Sequence, residues 1–116
     1  SIVLFSTVAT KLGMPFHASV ATAKSAIEGL TKSIAAELAT KIRVNAIAPT
    51  ITDTDLAAKF LRNDRMVEST IQRHPLKKYL KPNEVAAMAT YLLSDLSKSI
   101  SGQVFNLDCG IVSLKL

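Results

Sequence analysis

The hydrophobic pattern of this chain changes period several times. Ile2-Val3-Leu4-Phe5 is a continuous apolar run, rich in β-formers and stopped at once by Ser6 and Thr7, a pattern that predicts a buried strand. From about Ser19 to Leu38 the apolar positions Ala23, Ala26, Ile27, Leu30, Ile34 and Leu38 recur at three- and four-residue steps, interrupted by little besides Gly29. That spacing predicts a long helix with a face of small residues. Lys41 to Ala48 reads as a second strand, ended by Pro49 because proline has no N–H for a ladder. The strand delivers Thr50 to Thr54 into a loop. Residues 55–81 are polar and charged with scattered Leu56, Phe60, Leu61, Met66 and Ile71, which predicts short helices in a mobile excursion that covers something. Pro82-Asn83-Glu84 opens another helix, with Val85, Met88, Ala89, Leu92 and Leu93 at helical spacing. Ser101-Gly102 then precedes a last strand from Gln103 to Leu107.

Strands alternating with helices in this order predict an α/β layered domain with a parallel sheet. Such sheets bury both faces, and the opening strand has no neighbour on one side within the chain, an apolar edge that natural proteins avoid. Together with the absence of an initiating methionine and of a glycine-rich turn, this leads to the expectation that a preceding segment is missing and that the chain is the second half of a dinucleotide-binding domain.

Composition narrows the class. The 116 residues, 48% hydrophobic, suit a single globular unit. No apolar run approaches a membrane span and no signal pattern opens the chain, so a cytoplasmic location without membrane contact is expected. Cys109 is the single cysteine and the two histidines are scattered, which leaves no internal disulfide and no metal-ligand spacing. The formal charge of +5 is spread along the chain with few aromatics interleaved, a pattern of solvated surface rather than of nucleic-acid binding.

An ordered set of motifs resembles the C-terminal half of the short-chain dehydrogenase/reductase family, from Ser1 to about Gly110. Ser1-Ile2-Val3-Leu4-Phe5-Ser6-Thr7-Val8-Ala9 resembles the strand that ends in the family's catalytic serine. Lys24 matches the lysine of its Tyr-x-x-x-Lys helix. Arg43-Val44-Asn45-Ala46-Ile47-Ala48-Pro49 resembles the strand that runs into the Pro-Gly turn. Lys81-Pro82-Asn83-Glu84-Val85-Ala86 and Ser101-Gly102-Gln103-Val104-Phe105-Asn106-Leu107-Asp108 resemble the following helix start and the final strand. The resemblance implies a Rossmann-like, doubly wound parallel sheet of which only the C-terminal half, three strands plus helices, is present. Residues 1–116 would be the C-terminal part of one NAD(P)-binding domain whose Gly-rich half lies upstream.

It also implies an oxidoreductase that moves a hydride between NAD or NADP and a small carbonyl or alcohol substrate. In the family a tyrosine exchanges the proton, the lysine lowers its pKa and holds the ribose, and the serine orients the carbonyl. Here Val20 stands in the tyrosine position and offers no proton, a loss that typically costs ~10²–10⁴-fold in rate. Thr7 stands where the serine would be, with Ser6 as its neighbour; both also suit backbone capping at a strand end. His17 precedes the helix as a turn residue or substitute donor, and Ser19 points about 100° round the helix from Val20. In Pro49-Thr50-Ile51-Thr52-Asp53-Thr54, matched to Pro-Gly-x-Ile-x-Thr, the resemblance assigns cofactor contacts to Pro49, Thr52 and Thr54 as well as Lys24. Thr50 replaces glycine, and a threonine resists positive φ, so a reshaped turn and a narrowed nicotinamide pocket are expected. Cys109 likewise replaces a glycine and reads as a small packing residue. The Ala-rich helix and the tail Ile111-Val112-Ser113-Leu114-Lys115-Leu116 expose apolar surface suited to a homodimer or homotetramer. Three functions stay open: an oxidoreductase with an altered site, an inactive cofactor-binding subunit with a regulatory or structural role, and a structural protein without ligand.

Overall fold

A computed structural model describes residues 1–115. It contains three strands, β1 (Ile2–Phe5), β2 (Val44–Pro49) and β3 (Val104–Leu107), and three α-helices, α1 (Ala18–Glu37), α2 (Asp64–Arg73) and α3 (Pro82–Leu93), with 3-10 turns at Val8–Thr10, Asp55–Phe60 and Asp95–Ser97. The strands form one parallel sheet in the order β1-β2-β3. Phe5 lies opposite Ile47, and Pro49 opposite Leu107.

The central strand explains the rest. Val44 through Ala48 are all buried, and because successive side chains point to opposite faces, both faces of β2 must be covered. Helices α1 and α3 both pack against β2 and β1. Asn45, 0% exposed, sits in this core with its amide satisfied: Nδ2 donates to the Ile100 carbonyl at 2.9 Å and Oδ1 accepts from the Gln103 N–H at 3.1 Å. Arg43 works the same junction from the strand's start. Its guanidinium donates to the carbonyls of Ile100, Leu92 and Ser94 at 3.2, 3.0 and 3.0 Å, tying the end of α3 and the loop before β3 to the start of β2.

Most expected elements appear where the periodicity puts them, with instructive shifts. The second strand starts at Val44 rather than Lys41, because the N–H groups of Lys41 and Ile42 turn back to the Leu38 carbonyl at 2.8 and 2.9 Å and close the end of α1. Pro49 is the last residue of β2 instead of the first beyond it; the ladder continues past its missing donor when the Thr50 N–H reaches the Leu107 carbonyl at 3.0 Å. The last strand starts at Val104, one residue later than the pattern predicts. The excursion over 55–81 contains the expected short helices, the second capped by Asn63 Oδ1, which accepts from the Met66 N–H at 3.0 Å, a favoured N-cap pairing. It does not stand free of the domain: Leu80, 2% exposed, makes a parallel bridge to Thr52, donating to the Ile51 carbonyl at 3.1 Å and accepting from the Asp53 N–H at 2.9 Å.

Beyond β3 the chain turns sharply. Both carboxylate oxygens of buried Asp108 accept backbone N–H groups, from Gly110 at 2.9 Å and Val112 at 3.0 Å. Gly110 has φ +86°, and a Cβ there would lie 2.9 Å from Leu114 Cδ1 and 3.2 Å from Pro75 Cβ, so glycine is required on two counts. No helix among the described residues is long and apolar enough to cross a membrane. Nor, among them, does any group of three or more His, Cys, Asp or Glu side chains come together as metal ligands.

Candidate active site

Parallel strands bring their C-terminal ends to one rim, and adjacent strands lie ~4.8 Å apart. At the end of β1, the Lys24 ammonium donates to the Phe5 carbonyl at 2.8 Å. This contact anchors the helix lysine at the strand end, where a bound molecule crossing the rim would meet its charge. Val20 lies one helical turn before Lys24 on the same face and is 46% exposed. Its side chain is hydrocarbon, so at this position the rim is offered no exchangeable proton.

The next residues of the chain are held by a carboxylate that the sequence reading missed. Glu28, one further turn along α1, accepts at Oε1 from Ser6 Oγ at 2.6 Å and from Thr10 Oγ1 at 2.8 Å. Ser6 is buried and also donates its N–H to the Ile47 carbonyl at 2.8 Å. These bonds clamp the stretch on either side of Thr7, whose own Oγ1 accepts from the Ala9 N–H at 3.3 Å and caps the short 3-10 turn. Thr7 thus has the capping role that a strand-end hydroxyl often takes, while its hydroxyl hydrogen remains a donor.

The adjacent strand end supplies the second part. Pro49 is half-buried and Thr50 is buried. Thr52 Oγ1 donates to the Thr50 carbonyl at 3.0 Å, and Thr54 Oγ1 to the Thr52 carbonyl at 3.3 Å, so the hydroxyls of this loop brace its own turns. Thr50, which stands in place of a glycine, is not among the residues with positive φ, the conformation a threonine resists. Its side chain turns inward, with Oγ1 2.7 Å from Nε2 of His74. The predicted packing residue Cys109 is buried but adopts φ +52°, the left-handed conformation that a non-glycine residue enters at a cost. Burial pushes its thiol pKa above the ordinary value.

Thr7 and Lys24 therefore share the rim with Pro49, Thr52 and Thr54, on neighbouring strands. His17 and Ser19 do not join them. His17 Nδ1 lies 2.7 Å from the Pro15 carbonyl, and its ring lines a cavity of about 370 Å³ with Met14, Phe16 and Ala21; Thr7, Val20 and Lys24 lie outside that cavity's lining. Asp53, exposed on the loop, pairs with Lys81 at 2.7 Å, and this hydrogen bond raises the Lys81 ammonium pKa above the usual lysine value. Glu28 and His74 were both open to suspicion in principle, Glu28 by its place one turn beyond Lys24, but a single helix spacing and a scattered histidine carry little signal.

Comparison with known proteins bears on the family and the fold. The family model described as enoyl-(acyl carrier protein) reductase matches residues 1–112. A 3-oxoacyl-(acyl-carrier-protein) reductase of Thermotoga maritima is 40% identical over 113 residues, covering 97% of this chain and 45% of the relative. A tropinone reductase homolog of Datura stramonium is 38% identical over 114 residues, 95% of this chain and 42% of the relative. Among solved structures, a 4-hydroxyisoleucine dehydrogenase complexed with NADH superposes with a TM-score of 0.90 at 30% identity, over 97% of this chain and 47% of that one. A gluconate 5-dehydrogenase from Burkholderia cenocepacia in complex with NADP and tartrate gives 0.90 at 26% identity, over 97% and 45%. The chain spans about half the length of the curated relatives it matches. With three parallel strands, the rim lysine and a family match over nearly its whole length, this chain belongs to the short-chain dehydrogenase/reductase family.

Proposed function

We propose that residues 1–116 form the C-terminal part of an NAD(P)-binding Rossmann-like domain, and that the protein is an NAD(P)-dependent oxidoreductase acting on a small carbonyl or alcohol. The observation that carries the reading is Lys24, held at the end of β1 by the Phe5 carbonyl at 2.8 Å, with the hydroxyl-rich Thr50–Thr54 loop on the next strand end. A cation and several hydroxyls suit a sugar and an amide, so the residues present fit the ribose and nicotinamide portion of a dinucleotide. Lys24 would hold the ribose, the Thr52 backbone would meet the carboxamide, and Pro49 and Thr54 would line the same portion. When bound, the nicotinamide supplies the hydride.

The chain's own residues then do three things. Lys24 contributes positive charge on the side where a substrate oxygen gains negative charge on reduction. Thr7 can donate its hydroxyl hydrogen to that oxygen while Glu28 keeps the strand end in place. Val20 neither gives nor takes a proton, so the proton reaches the oxygen from water or from Thr7, and turnover of ordinary ketones is slow.

A second reading has its own observation. Val20 puts an exposed hydrocarbon at the centre of the site, which suits a subunit that binds NAD(P) without reducing anything and acts as a regulatory or structural partner. Exposed Leu30 on α1 and Leu93 on α3 supply apolar surface for a homodimer or homotetramer in either case. Fluorescence titration of the intact protein with NADH and NADPH tests the proposal. Saturable binding in the micromolar range is expected; no binding at millimolar dinucleotide would overturn both readings. Oxidation of the bound dinucleotide by a panel of ketones separates the two.

A further inference from the structure

Thr50 uses every hydrogen-bonding group it has. Its N–H donates to Leu107 at the end of β3, 3.0 Å, its carbonyl accepts from Thr52 Oγ1, 3.0 Å, and its hydroxyl meets His74 Nε2 at 2.7 Å. The imidazole is as fully committed: Nδ1 lies 2.7 Å from the Thr70 carbonyl. A carbonyl oxygen can only accept, so Nδ1 carries the proton. In the neutral ring Nε2 is then an acceptor, and the Thr50 hydroxyl is the donor. Every polar group from strand end to helix end thus has a partner. The link is also dry, since Thr50, His74 and Thr70 are 9%, 3% and 2% exposed.

The two residues stand at the two ends of a single excursion. Thr50 leaves β2, and His74 is the residue at which α2 stops, its N–H bonded to the Ile71 carbonyl at 3.1 Å. Between them lie Thr52 and Thr54, the 3-10 turn with exposed Leu56 and Phe60, and α2 itself. Joining its ends removes most of the freedom of such a segment, and a buried hydroxyl–imidazole bond is lost only by leaving both polar groups unpaired. Since glycine stands at this point in the family's Pro-Gly turn, the side chain that makes the bond is a departure of this chain from that pattern.

We infer that Thr50 and His74 are positioning residues: their hydrogen bond latches the base of the 51–73 excursion and so fixes the loop that carries Thr52 and Thr54 over the rim. This rests on the oxidoreductase reading for its effect on dinucleotide binding, but not for its effect on the loop. The test uses the intact protein and three changes. Thr50→Val removes the hydroxyl at nearly constant shape, Thr50→Ser keeps it, and Thr50→Val with His74→Leu removes both partners. Amide hydrogen exchange over residues 51–73 and NADH or NADPH affinity are read together with the melting temperature.

Thr50→Val is expected to speed exchange in 51–73 and weaken dinucleotide binding, each by roughly tenfold, the scale of one buried hydrogen bond. Thr50→Ser restores both to within about twofold of the parent, and the double change is no worse than the single one, because partners in one bond do not add. Exchange that accelerates equally over β1, β2 and β3 would mean general destabilisation and would overturn the latch. So would a serine variant as impaired as the valine one, or a valine variant with unchanged exchange. If the parent protein binds no dinucleotide, the oxidoreductase reading falls while the exchange data still decide the latch.

Discussion

Asn45 offers the most direct check on how the rim is held. Its amide is 0% exposed and makes two hydrogen bonds, from Nδ2 to the Ile100 carbonyl at 2.9 Å and from the Gln103 N–H to Oδ1 at 3.1 Å. Asn45→Leu keeps the size of the side chain and removes both. The Gln103 N–H is orphaned at about 1–3 kcal/mol, while the Ile100 carbonyl keeps its bond from Arg43 at 3.2 Å and loses only one hydrogen bond, about 0.5–1.5 kcal/mol; the apolar atoms newly buried return about 1–2 kcal/mol. The net expectation is a destabilisation of about 1–3 kcal/mol, a sizeable part of a typical domain's margin. Urea unfolding at pH 7 measures it, as a lower midpoint at unchanged slope. Asn45→Asp sharpens the test: it keeps the acceptor for Gln103 but sets a carboxylate oxygen against the Ile100 carbonyl. Its deficit relative to the parent should therefore shrink in mild acid, where the protonated carboxyl can donate, whereas that of Asn45→Leu stays constant. A leucine variant within about 0.5 kcal/mol of the parent would refute the claim that this amide completes the junction of β2 and β3.

Val20 is half-exposed, so Val20→Tyr meets no overpacked core and should leave stability within about 0.5 kcal/mol, while raising ketone reduction followed by NAD(P)H absorbance by ~10²–10⁴-fold; an unchanged rate would show that the missing acid is not what limits the site. Burial holds the Cys109 thiol above its ordinary pKa of 9.0, so a thiolate-selective reagent should label native protein far more slowly than unfolded protein. The sign is fixed by linkage: the unfolded chain gives up this proton first, so stability declines as pH rises past the unfolded value, and rapid labelling of the native state near pH 8 would contradict it.

The fold was largely legible because its signals are local. The apolar run Ile2–Phe5 and the three- and four-residue steps of α1 needed no knowledge of partners, although the strand expected to be buried leaves Ile2 and Phe5 exposed at the sheet edge, and boundaries moved only where a tertiary or cap bond intervened, as with Lys41 and Ile42 closing onto Leu38. The site was legible in part. Lys24 could be found through its spacing from Val20 within a motif, and it does reach the end of β1. The role of the Thr50 side chain could not be foreseen from a rule about glycine replacement, because its hydroxyl partner, His74, stands 24 residues away and belongs to a segment whose path is set by packing. Glu28 was hidden for a related reason: its two donors, Ser6 and Thr10, come from the strand end and the turn beyond it, and nothing in a helix pattern distinguishes a clamp from a solvated acid.

The all-parallel sheet has a consequence in time as well as in space. Pairing Ile2 with Val44 and Ala46 with Val104 closes loops of roughly forty and sixty residues, so neither ladder can nucleate from neighbours in sequence. Helix α1 can begin to form alone within about a microsecond, but β2 stays an unpartnered segment, apolar but for Asn45, until sequence far on either side of it arrives. During that interval the chain is at its most adhesive, and the yield of native protein at raised concentration depends on how soon α1 and α3 close over β2.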